Sequence, residues 1–143
     1  MPTRNASAVW EGDLPKGKGS FKGESGAIAA DYSFGTRFGD VKGSNPEELL
    51  AAAEAACYSM ALSHGLATAG TPVTRVDTEA ACTVSQVAGG FQITTMHLVV
   101  RAKVPGIDQA TFAAAAEQTK KECPVSKALA GNVDITLDAQ LVQ

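Results

Sequence analysis

Hydrophobic and polar positions alternate in short runs through the first 45 residues, and the alternation then gives way to a longer period. Around Ala6, Val9 and Trp10, and again in KGKGSFKG, the runs are broken by glycine turns such as ESG, which predicts β-hairpins. In YSFGTRFGD a period of two puts Tyr32, Phe34 and Phe38 on one side of an extended segment and Arg37 on the other, predicting an arm that lies on a surface. From Asn45 onward the pattern becomes helical. Asn45 is an N-cap, Pro46 suits the first helical position and Glu48 the third, while Gly70 and Pro72 mark the stop. The middle of this helix is apolar nearly all round and rich in alanine, as for a central helix surrounded by protein and closely approached by another helix.

Two strands follow, over residues 73–87 and 91–104, joined at Ala88-Gly89-Gly90. In the second, Met96, Leu98, Val100, Ala102 and Val104 alternate with Thr95, His97, Val99, Arg101 and Lys103, the signature of a half-buried antiparallel pair with one wet face. After PGID, Asp108 caps a helix over residues 109–122, CPVSKALAG opens a short second helix, and residues 133–141 form a last strand. These elements predict one α+β domain over residues 1–143 in which sheets wrap helices.

Composition narrows the function more than the fold. The 143 residues are 45% hydrophobic and 19% charged with a net charge of -3, which fits a globular chain. No cluster of Lys and Arg offers a footprint for nucleic acid or an anionic membrane, so neither is an expected partner. MPTRNASAVWEGD lacks the apolar run of a secretory signal, and Glu54, Ser59, Ser63 and His64 interrupt the apolar helix, so a cytoplasmic protein is expected. Cys57, Cys82 and Cys123 are far apart with no CxxC pair, a poor zinc pattern, and no metal or cofactor is expected. In a reducing compartment such cysteines are either core filler or chemistry.

Cys123 precedes Pro124, which makes it the N-cap of the short helix, with its sulfur facing unpaired N–H groups and Lys120 and Lys121 nearby. All of this favours thiolate. Cys57 lies ten residues into the apolar helix, where burial raises a thiol's pKa and leaves it inert unless a cation arrives from elsewhere. Arg37 is the candidate cation, and Glu47 or Glu48 the candidate to orient it by bidentate pairing. Glu47 and Cys57 stand about 15 Å apart along one straight helix, too far for one arginine to bridge. Two such helices antiparallel across a two-fold axis would bring the glutamate of one subunit near the cysteine of the other, so a homodimer with shared sites is expected. Plainer roles suit the rest. Cys82 is core filler, His97 a surface residue, Glu48 a cap, and Glu54 a residue paired locally or across the dimer. His64 is about two turns from Cys57, too far for a hydrolytic dyad. Tyr58 and Met60 are core residues that can also line an apolar pocket.

KGKGS, ESG, FGTRF, KGSNPEELLAAAEAACYSMAL, VPGID, ECPVSKAL and ITLDAQL, in this order over almost the whole chain, resemble the osmotically inducible protein C family of hydroperoxide reductases, and its osmotically inducible branch more than the organic hydroperoxide resistance relatives. The resemblance implies antiparallel sheets around two central helices in an intertwined homodimer. It also implies a peroxidase in which Cys57 attacks an organic hydroperoxide and Cys123 resolves the sulfenic acid as a disulfide, with Glu47 and Arg37 completing the site. An external dithiol then reduces the disulfide. The residue pattern by itself makes Cys123 the better thiolate and leaves the order of attack open. The rival readings are a non-catalytic homodimer that senses redox state or binds a ligand and, with less support, a cysteine hydrolase.

Overall fold

The computed structural model describes residues 1–143, which divide into two compact units, Met1–Leu49 and Leu50–Gln143. In the first, the alternating runs become β1 (Ala6–Glu11), β2 (Lys18–Gly23) and β3 (Ala29–Ser33), paired antiparallel in that order. Gly19 lies opposite both Trp10 and Tyr32, whose rings are 5.3 Å apart. A Cβ on Gly19 would stand 2.6 Å from the Tyr32 ring, so the bare backbone is what lets the two aromatics meet across the sheet.

The stretch after β3 departs from expectation. Phe34–Phe38 is a single helical turn, α1, rather than an extended arm. The cause is a capping box: the Ser33 hydroxyl accepts from the Thr36 N–H, and the Thr36 hydroxyl accepts from the Ser33 N–H. Phe34 and Phe38 still share a side, with ring centroids 5.2 Å apart, because a spacing of four satisfies a helix as well as a strand. Asn45 then joins α1 to α2 (Pro46–Thr68). Its Nδ2 donates to the Thr36 carbonyl, and its Oδ1 accepts from the Glu48 N–H as the N-cap should. At the far end Gly70 adopts φ 86° and the Thr71 N–H returns to the Leu66 carbonyl.

In the second unit β4 (Arg75–Val87) and β5 (Gly90–Lys103) form the expected antiparallel hairpin, its turn carried by Gly89 and Gly90 at positive φ. β6 (Asp134–Leu141) pairs parallel to β5, the one departure from antiparallel order, because α3 (Gln109–Glu122) and α4 (Pro124–Leu129) carry the chain back across the sheet. The core follows the alternation along β5. Met96, Leu98, Val100 and Ala102 pack with Tyr58, Leu62 and Leu66 of α2 and Phe112 of α3, and each fully buried large side chain contributes about 1.5–3 kcal/mol. The Tyr58 hydroxyl, which cannot be left bare in such a core, donates to the Ala116 carbonyl at 2.8 Å. Cys82 is half-buried and packs against this core, as do its strand-face neighbours Val76 and Ala80. No helix is long and apolar enough to cross a membrane.

α2 is not apolar-buried all round within this chain. Tyr58, Leu62 and Leu66 face the core, whereas Ala52, Ala53, Ala56 and Met60 are exposed. Met60, expected in the core, is 75% exposed because it lies on the opposite side of the helix from Tyr58 and Leu62.

Candidate active site

The sequence candidates fall into two groups, one in each unit. In the first, Glu47 occupies the opening turn of α2, where the positive end of the helix favours a carboxylate, and only 6% of it is exposed. A charge so nearly sealed from water requires a partner, and Arg37 supplies it. Arg37 Nη2 donates to Oε1 at 2.9 Å, while Nε reaches Oε1 at 3.2 Å and Oε2 at 3.3 Å. Two N–H groups of one guanidinium edge on one carboxylate fix the plane of the arginine head far better than a single contact would. The head also lies over the Phe38 ring, 5.0 Å from its centroid, a cation–π contact made by the same group that pairs with Glu47. Glu48, the other candidate to orient Arg37, is exposed and serves the helix start instead. Beside Arg37 opens a cavity of about 210 Å³ walled by Trp10, Leu14, Tyr32, Phe34 and Phe38.

The second group is built where α2 meets the junction of α3 and α4. Cys123 ends α3, its N–H bonded to the Thr119 carbonyl, and begins α4, with Pro124 at the first helical position. Its backbone has φ -54° and ψ 125°, outside the helical region, as a residue before proline prefers. Its side chain makes no capping hydrogen bond. The expectation that the Cys123 sulfur receives the N–H groups of the short helix is therefore corrected, because the Val125 N–H of that first turn is directed at the Cys57 sulfur. The Cys123 thiol is the other hydrogen-bonding neighbour of Cys57. Both are thiols with no disulfide between them; Cys57 is half-buried and Cys123 is wholly buried.

Burial pushes the Cys57 thiol above its ordinary pKa. The Val125 N–H opposes the rise, while the Cys123 thiol and the Glu54 carboxyl reinforce it. As the sequence requires, apolar surroundings leave this sulfur protonated unless positive charge is brought to it.

Glu54 is the residue whose place the sequence did not disclose. It is 0% exposed, and one carboxylate oxygen accepts a hydrogen bond from the Ser126 hydroxyl of α4 rather than from a neighbour on its own helix. Its Oε2 has no partner. Removing a carboxylate from water costs several kcal/mol, and one hydroxyl donor returns about 1.5–3 kcal/mol. Burial outweighs Ser126, and the carboxyl's pKa is raised. The usable signal was a single acidic residue in an otherwise apolar helix face, three positions before Cys57. His64 and His97 are both exposed, and His97 Nδ1 is engaged with the Thr136 hydroxyl at 2.7 Å.

Known proteins match this chain along most of its length. The sequence profile of the OsmC-like protein family matches residues 39–138, a span containing Glu47, Cys57 and Cys123. Peroxiredoxin OsmC of Escherichia coli (strain K12) is 47% identical over 139 residues, 96% of each chain. The organic hydroperoxide resistance protein of Xanthomonas axonopodis pv. citri (strain 306) is 34% identical over 100 residues, 66% of each chain. Among solved structures, the organic hydroperoxide resistance protein OhrB of Bacillus subtilis superposes with a TM-score of 0.75 at 26% identity, covering 95% of this chain and 98% of its own. With a profile spanning well over half the sequence and near-half identity to a full-length relative, the chain belongs to the OsmC-like protein family.

Proposed function

We propose that this chain is a thiol peroxidase that reduces organic hydroperoxides. The Cys57 thiolate attacks the terminal peroxide oxygen; the O–O bond breaks, the alcohol leaves with a proton, and Cys57 becomes a sulfenic acid. Cys123 then displaces the hydroxyl, which departs as water, and the Cys57–Cys123 disulfide is returned to two thiols by an external dithiol. The observation that carries this reading is the asymmetry of a neighbouring sulfur pair. Cys57 is partly open and receives the Val125 N–H, whereas Cys123 is sealed beside it. A peroxide arriving from solvent meets Cys57 first, and the sulfenic acid it leaves has a thiol in reach. The relatives' names, a peroxiredoxin and organic hydroperoxide resistance proteins, support the same reaction class.

Catalysis separates from sensing by stoichiometry. A small amount of protein with excess organic hydroperoxide and a dithiol is expected to consume many equivalents; consumption that stops at one equivalent favours a redox sensor. The apolar wall of the cavity beside Arg37 favours an organic tail, so kcat/KM is expected to be higher for an organic hydroperoxide than for hydrogen peroxide. Equal values would remove that preference.

Arg37, held by Glu47, is the cation this chemistry requires, and the proposal places it at the Cys57 of a partner subunit. In support, α2 exposes Ala52, Ala53, Ala56 and Met60, a small-residue apolar face suited to a second copy of the helix. Subunit mixing tests both parts. Cys57→Ser and Arg37→Ala chains, each unable to sustain turnover alone, are expected to regain it when unfolded together and refolded, because a mixed dimer contains one complete site. No recovery, or a monomer in sedimentation, would rule out shared sites. A supply of reduced dithiol is what the cycle consumes, and on that ground the cytoplasm is its proposed compartment.

A further inference from the structure

The peroxidase cycle just described leaves one buried ionisable group without a task. Glu54 lies three residues before Cys57 on α2, so its side chain falls on the same side of the helix, one turn toward the N-terminus. It is wholly buried, one oxygen is held by Ser126, and the other has no partner. Ser126 belongs to the same short helix whose Val125 N–H reaches the Cys57 sulfur, three residues after Cys123. The carboxyl and the sulfur pair therefore both lie where α2 meets α4 and the end of α3.

We infer that Glu54 is a positioning residue that tunes the Cys57 sulfur: once ionised, its buried carboxyl opposes formation of the Cys57 thiolate one turn away on α2, whereas the neutral acid does not. Two anions on successive turns of a helix, inside the same core, repel through a medium that screens them poorly. No cation is engaged with Glu54, since its one hydrogen-bonding partner is a neutral hydroxyl. Within this chain the other ionisable groups felt here are the Cys123 thiol at the α3–α4 junction, the Tyr58 phenol on α2 and Glu117 on α3, all neutral or negative; the arginine proposed to reach Cys57 from a partner subunit favours the thiolate and leaves the opposition from Glu54 to be measured against it. As pH rises, loss of the Glu54 proton opposes loss of the Cys57 proton, and the two titrate as one coupled pair spread over a wide range.

The inference takes its importance from the peroxidase reading, but its test needs no peroxide. The rate at which iodoacetamide alkylates Cys57 in the full-length reduced protein, read by peptide mass spectrometry across pH, follows the thiolate at that one site. The wild-type curve is expected to be broader than a single titration. Glu54→Gln keeps an acceptor for Ser126 but cannot become negative, so its curve should narrow to one proton and move down by about one pH unit, giving about tenfold more Cys57 thiolate below the midpoint. Ser126→Ala takes away the donor that stabilises the Glu54 carboxylate, keeps Glu54 neutral to higher pH, and should move the curve part of the way in the same direction. Glu54→Asp retains the charge and should retain the broad curve. A glutamine variant that titrates like the wild type overturns the proposal, and so does one whose midpoint rises. If that variant does not fold, an unshifted Ser126→Ala curve overturns it. A purely structural Glu54 would change melting temperature and leave every midpoint in place. Should Glu54→Gln shift the midpoint while wild-type protein consumes no hydroperoxide, the coupling of Glu54 to Cys57 stands and the peroxidase reading falls.

Discussion

Cys57→Ser is expected to reduce hydroperoxide consumption by about 10⁴-fold or more, the scale on which loss of a nucleophile is felt. A serine hydroxyl cannot take up the peroxide oxygen as a sulfenic acid, and neither a Val125 N–H nor a nearby guanidinium creates that capacity. Cys123 cannot substitute for it, because it is 0% exposed and solvent-borne peroxide reaches it only past Cys57. Cys57 is only half-buried and its replacement is nearly isosteric, so the fold should survive, which far-UV circular dichroism would verify. The readout is peroxide remaining after incubation with catalytic protein and excess dithiol. Consumption at or near the wild-type rate would mean that the attacking sulfur has been misassigned.

Cys123→Ser is expected to behave in the opposite manner. The first attack, measured in a single turnover without reductant, should keep its rate within about threefold, because Cys57 retains the Val125 N–H. The sulfenic acid then has no neighbouring thiol. It should accumulate, be captured by a cyclic 1,3-diketone, and under excess peroxide pass to the sulfinic acid with permanent loss of activity. Wild-type protein under the same treatment should stop at a disulfide and recover with dithiol. Putting a hydroxyl at this buried position without a partner costs about 1–3 kcal/mol, so melting temperature should fall moderately. A variant that resists over-oxidation as well as the wild type would remove Cys123 from the resolving role.

What the sequence disclosed and what it hid divide along a physical line. The limits of α2 were readable because local chemistry sets them: Asn45 supplies the cap with its own side chain, and Gly70 supplies the left-handed turn. The alternation along β5 was readable because one face of that strand is buried and the other wet, which imposes a period of two on residue choice. α1 was misread as extended because Phe34 and Phe38 obey both periods at once; only the reciprocal bonds of Ser33 and Thr36 decide between them. The pairing of Arg37 with Glu47 was within reach, since ten residues of chain separate them. Glu54 and Ser126 are 72 residues apart, and no local rule brings a mid-helix acid to a hydroxyl on another helix. The same holds for the Val125 N–H: its position at a helix start was legible, but which sulfur it meets depends on how α2 packs against the α3–α4 junction.

The most direct test treats reduced protein with one equivalent of organic hydroperoxide, quenches free thiols by alkylation and maps the peptides by mass spectrometry. The account predicts a single intrachain link between Cys57 and Cys123, with Cys82 alkylated. A link that includes Cys82, or oxidation that begins at Cys123 while Cys57 is still alkylated, would contradict it.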